Sequence, residues 1–204
     1  MTKPAPKRGG RSAAGRLSFA SIVSLASLVS AAIVVACAGT PNASEETNMY
    51  VSPNAYSDFA GGAGNSGVQG MLAAKCGSLD CHGAVGESLR IFSQNGLRLG
   101  EDGGADVPGG AATTPAEIFA TYVSAITIQP EDTSKVFHGN LDPHALLLLR
   151  KPLGLERHKG GQVLQSSDPG DVCLTTWLQD GLVGQNGAPL TINNVACNAE
   201  AALP

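Results

Sequence analysis

The sequence predicts a small, mainly α-helical fold of short helices joined by long loops. Three observations carry that prediction. Several apolar segments have helical spacing and begin at recognisable caps. The 26 glycines and 12 prolines of the 204 residues interrupt every such segment early. No stretch alternates apolar and polar residues as a half-buried strand would. The length suits one domain with ancillary segments, and aromatic residues make up only 4% of the chain. A bulky cofactor could supply part of the core volume that such a composition leaves short.

The first 36 residues read as a signal peptide rather than as part of the fold. Lys3, Lys7, Arg8, Arg11 and Arg16 form a basic start, and the run from Leu17 to Ala36 carries no charge. The run ends in "VVAC", a small residue before Cys37, which resembles the lipidation signal of exported bacterial lipoproteins. An ordinary signal peptide or an uncleaved anchor is the alternative, since the apolar run is long enough to span a bilayer. Cys37 is thus expected to carry lipid and to tether the protein to a bacterial membrane, on the periplasmic or cell-surface side. The first 37 residues hold five of the 13 Lys and Arg and none of the 17 acidic residues, leaving a formal charge of −9 beyond them. An acidic chain without a basic stripe excludes nucleic acid as a partner.

Residues 37–64 are polar, turn-rich and without periodicity, as expected of a flexible tether. Asn65 or Ser66 can cap a helix through "GVQGMLAAKC", with Val68, Met71, Leu72 and Lys75 on one face. "SLRIFSQNGLRLG" suggests a turn of helix and then an extended piece, and Gly100 to Thr113 a flexible loop. Thr114, Pro115 and Glu117 supply an N-cap, Pro at the first helical position and a capping box. Ile118, Phe119, Tyr122, Val123 and Ile126 are the expected apolar face of that helix. Asp142 and Pro143 open a helix through "HALLLLRK", "GLERHKGGQV" forms a loop, and a last helix starts at Asp168 and Pro169 and stops at Gly181.

The chemistry concentrates in "KCGSLDCHG", where Cys76 and Cys81 are followed by His82. Haem c is held by two cysteine thioethers, with the next histidine as an iron ligand, and the usual signal is C-x-x-C-H. Four residues separate the cysteines here, and Gly77 and Ser78 suit the outward loop this requires. Zinc bound by Cys76, Cys81, His82 and a distant His is a second reading, though no second ligand pair accompanies it. A Cys76–Cys81 disulfide beside an idle histidine is a third. The segment used by the haem reading sits in an exported chain, where disulfides also form. Cys173 and Cys197 are the cysteines then left over, and they are expected to pair.

Order along the chain supports haem. From about Val68 to Gly181 the sequence resembles the cytochrome c-like domains of exported bacterial lipoproteins. The resemblance rests on Cys76, Cys81 and His82, then Gly96 to Leu99, Ala145 to Lys151, His158 to Gly161, and Trp177. The four-residue spacer and Lys159 depart from that pattern. The resemblance implies a cytochrome c-like domain over 65–185, a C-terminal tail over 186–204, one covalent haem c and electron transfer with a redox partner protein. No nucleophile or paired-carboxylate arrangement argues for an independent enzyme.

For the second axial ligand, no methionine follows the motif, so His138, His144 and His158 are the candidates. His144 follows Pro143 at a helix start, a capping or solvent-exposed position. His158 is favoured because adjacent glycines let its loop approach a flat ring, with His138 as competitor. Ligation by two histidines implies a lower potential than methionine ligation. The alternatives are a haemless, disulfide-stabilised surface lipoprotein acting as a binding module, and a peroxidase-like haem protein with an open iron position.

Overall fold

A computed structural model describes residues 49–100 and 108–203. Cys37, the signal segment 1–36 and the first part of the tether lie outside these residues. Among the described residues there are seven short α-helices and no extended strand, so the fold is mainly α. None of these helices is long and apolar enough to cross a membrane.

The helices are α1 (Ala55–Ala60), α2 (Gly67–Cys76), α3 (Pro115–Ile126), α4 (Pro130–Phe137), α5 (Leu147–Arg150), α6 (Pro169–Leu178) and α7 (Asn194–Ala201). The core centres on Trp177 of α6, which is fully buried and meets Phe59, Tyr122 and Phe137 edge-on or tilted. Its indole N–H donates to the Ala55 carbonyl at 2.8 Å, so α1 is fastened to the core by the ring's only polar atom.

The compact unit is wider than the sequence suggested, running over Thr47–Pro204 rather than 65–185. At one end, α1 interrupts the expected tether, because Ala55 and Phe59 lie one helical turn apart and both are buried. At the other, the expected tail contains α7, which packs against α2 and α6. Asn193 caps α7 by accepting from Ala196 N–H at 3.0 Å. Cys173 of α6 and Cys197 of α7 are joined by a disulfide, and both are fully buried.

Local signals behave as their chemistry requires. Thr114 and Glu117 form the reciprocal capping box, and Asp168 accepts from Asp171 N–H at 2.8 Å to start α6. At α2 the cap position is Ser66, whose side chain makes no capping bond, and Asn65 just before it accepts from Gly67 N–H at 3.0 Å.

Three expectations are corrected. "SLRIFSQNGLRLG" holds no helix: Phe92 and Leu97 bridge across a tight turn instead. The helix expected through "HALLLLRK" breaks at Leu146, between a 3-10 turn over Pro143–Ala145 and α5, as Gln129 Oε1 takes the Leu147 N–H. The buried face of α3 is Glu117, Thr121, Tyr122, Ala125 and Ile126, while Phe119 stays 52% exposed. The cause of that rotation is Glu117. Arg98 clasps its carboxylate through two bonds of 2.7 and 3.1 Å, and Leu99 and Thr114 N–H groups donate to it as well. A buried carboxylate is tolerable only with such a full set of donors. Although burial raises the Glu117 pKa, those donors outweigh it and the net shift is downward.

Candidate functional site

The motif begins where α2 ends. Cys76 is the last residue of the helix, and its carbonyl accepts from His82 N–H at 2.9 Å. Cys81 N–H and Gly83 N–H both donate to the Ser78 carbonyl, so the four intervening residues form a closed loop. Gly83 and Gly96 make that loop possible. A Cβ on either would sit 2.0 Å from the Gly77 carbonyl oxygen, a distance no carbon atom tolerates.

The loop opens onto a cavity of about 550 Å³. Cys76, Cys81 and His82 line one part of its wall, and His158 lines another. Met71, Leu89, Ile128, Leu148 and Leu174 make most of the remainder apolar. Both motif cysteines are free thiols, so the Cys76–Cys81 disulfide is not formed. Burial, and then the neighbouring Cys81, push the Cys76 thiol up to about 12, so it remains protonated at neutral pH.

His82 and His158 face one another in this cavity. Their ring centroids are 5.8 Å apart and their planes lie within 10° of parallel. That separation lies within the range of offset aromatic pairs. It is close to the roughly 6 Å expected for two imidazoles on one metal, each through a bond of ~2 Å, with the rest from the ring half-widths.

The hydrogen bonds select the nitrogen that each ring offers. His82 Nδ1 lies 3.0 Å from the Leu89 carbonyl, and His158 Nδ1 lies 2.9 Å from the Gly161 carbonyl. A carbonyl can only accept, so both Nδ1 atoms donate and each Nε2 is left without the proton, free to accept or to ligate. Holding a ligand histidine by its second nitrogen is the usual means of orienting it. Burial lowers the His82 pKa more than the Leu89 bond raises it, and the nearby His158 and Lys151 lower it further. His82 is therefore neutral at pH 7, with its lone pair available.

The other histidines are elsewhere. His138 stacks on Tyr50, with centroids 4.1 Å apart, and lines a separate, more open groove of about 750 Å³ with Leu141 and Leu182. His144 bridges two carboxylates, Asp142 at 3.0 Å and Asp171 at 2.8 Å. Burial alone would depress its pKa, but those bonds leave it raised. Among the described residues no three His, Cys, Asp or Glu side chains gather to hold a bare metal ion. The zinc reading therefore lacks its ligand set.

A haem group fits these residues. The two Nε2 atoms would serve the iron, the two free thiols would serve the vinyl groups, and apolar side chains would cover the ring. Leu89 and Gly161 as orienting carbonyls, and Gly83 and Gly96 as packing residues, were not singled out from the sequence. The placement of Gly83 directly after the motif is the one signal that pointed to them. No family model, no curated protein and no solved structure matches the chain.

Proposed function

We propose that the protein is a membrane-tethered, exported c-type cytochrome that carries single electrons on one covalently bound haem. The observation that carries this reading is the opposition of His82 and His158 across an apolar cavity walled by the free thiols of Cys76 and Cys81. When bound, the haem iron supplies a one-electron couple, and the protein supplies burial, axial ligands and orientation. Cys76 and Cys81 would hold the haem by adding their S–H groups across its two vinyl groups, an addition that needs no oxidant. Lipid on Cys37 would hold the domain at a bacterial membrane, and a redox protein would be its partner.

A reduced-minus-oxidised absorption spectrum tests the reading, taken on protein matured with a c-type haem attachment system. Sharp low-spin bands are expected, with haem retained through acid–acetone extraction. Protein without covalent haem would refute the proposal and leave a haemless surface lipoprotein. A high-spin spectrum that changes with peroxide would instead favour an open iron position.

A further inference from the structure

α3 is built with its polar side inward. Glu117, the helix's one charged residue, and Thr121 are both buried. Arg98 clasps the first, and the second accepts from Phe92 N–H at 2.9 Å. The opposite face is left to Ala116, Phe119, Val123 and Thr127, all exposed and none charged. Phe119 is 52% exposed and Val123 38%. On one flank Tyr56 of α1 meets Phe119 edge-on, with ring centroids 5.4 Å apart. On the other, Arg90 N–H donates to the Ser124 hydroxyl at 2.8 Å, which sets an exposed basic residue beside the face. A helix at the surface of a globular domain ordinarily turns its charged side chains outward. α3 does the reverse, and an exposed apolar face of this kind marks a contact surface.

We infer that this face, Phe119 and Val123 with Tyr56 beside them, rests on the lipid bilayer at headgroup depth. The inference takes its partner from the membrane-tether reading and is independent of haem. Tyr56 belongs to the first helix among the described residues, and 12 positions separate Cys37 from Met49. That length of chain reaches at most about 43 Å. Anchoring at Cys37 thus turns a weak apolar contact with the bilayer into an intramolecular one. Tyrosine is enriched at the membrane–water boundary, where its apolar body and polar tip are both satisfied. With eight Lys and Arg against 17 acidic residues beyond Cys37, the domain as a whole is repelled by anionic lipid. An uncharged face flanked by an arginine is the side that can approach it.

The test puts a reporter on the face of the full-length protein as the cell processes it. The protein is reconstituted in vesicles of phosphatidylcholine and phosphatidylglycerol, with ordinary acyl chains or chains brominated near the headgroup. Phe119→Trp adds an indole to a chain whose native one, Trp177, is fully buried. Its emission should be quenched by the brominated lipid. Val195→Trp, at an 80% exposed position of α7, is the control and should not be quenched. Adding Val123→Glu to Phe119→Trp should abolish the quenching and leave the melting temperature unchanged, because a carboxylate resists burial among lipid. Quenching that is absent at 119, or equal at 119 and 195, overturns the docking face. A blue shift at 119 that follows protein concentration and not lipid overturns it too, and assigns the face to a second copy of the chain. A chain without acyl mass on Cys37 refutes the lipid anchor alone. Vesicles are then added to the chain in the form isolated, and selective quenching at 119, or its absence, still decides the docking face.

Discussion

Gly83 lies so close to Gly77 that a Cβ on the former would reach within 2.0 Å of the latter's carbonyl oxygen. The atom it would strike is backbone, so no side-chain rotation relieves the clash. Gly83→Ala and Gly96→Ala should each destabilise the fold by about 2 kcal/mol or more. Both should also reduce haem incorporation, because the loop presenting Cys81 and His82 must shift. Gly100→Ala, where nothing lies within 4 Å of the added carbon, is the matched control and should behave as wild type. Thermal melts and haem-to-protein ratios read both effects.

His158→Ala should convert a low-spin haem to high-spin and open the iron to carbon monoxide, while covalent attachment survives. His138→Ala should leave the spectrum unchanged, since its ring is stacked on Tyr50. The opposite pattern would make His138 the ligand and reduce the His158 loop to packing.

Removing the disulfide by Cys173→Ala/Cys197→Ala should cost about 3 kcal/mol, from a loop closed over 24 residues of sequence separation. Denaturant melts of the variant and of reduced wild type should agree. A loss well under ~1 kcal/mol would mean that α7 is held by its other contacts.

Asp58 and Asp180 form a carboxyl pair between α1 and the end of α6. Burial first, then repulsion and a shared hydrogen bond with Asp180, raise Asp58 from 3.8 to about 6. One oxygen of the buried Asp180 has no partner. Between those two values the folded state binds more protons than the unfolded chain, so stability falls as pH rises. Above about 6 the loss is complete. Asp58→Asn replaces the repulsion with an N–H donor. It should stabilise by about 1 kcal/mol at neutral pH, after discounting for solvent screening. The gain should shrink through this window and vanish below 3.8. A gain independent of pH would contradict the pairing.

Cys37→Ser should release the protein from membranes or block its processing, because the lipid is expected on that sulfur. Stable anchoring needs more than one acyl chain. Cell fractionation and intact mass decide the matter, and unchanged retention with unchanged mass would exclude lipidation there.

The sequence was most legible where one turn of chain decides the structure. Thr114 with Glu117, Asp168 before Pro169, and the segment ending at Cys76 need only their neighbours, and each forms where expected. Long-range partners override local patterns elsewhere. Glu117 serves its capping box and also Arg98, which turns the buried side of α3 away from Phe119. Leu146 looks like a mid-helix leucine until Gln129 captures the next N–H group. α7 has no apolar stripe to betray it, and what buries it is Cys197 together with α2. At the site, Cys76, Cys81 and His82 form a contiguous motif. His158 was reachable through the lack of a later methionine and the glycines beside it, whereas the Leu89 and Gly161 carbonyls that orient the two rings emerge only from the folded loops.

The attachment of α7 to α2 sets an order of events. Asn198 receives two hydrogen bonds from Ser66, and Glu200 pairs with Lys75, so the helix ending at Cys76 leans on residues over a hundred positions later. Such non-local contacts form late in folding. As the chain emerges from synthesis or export, Cys76, Cys81 and His82 arrive while their supporting helix is still missing. For that interval the two thiols belong to an open, accessible peptide rather than to a walled cavity. On the proposed cytochrome reading, haem attachment would have its widest window before residues 194–201 arrive, and their docking would then fix the helix that ends at Cys76.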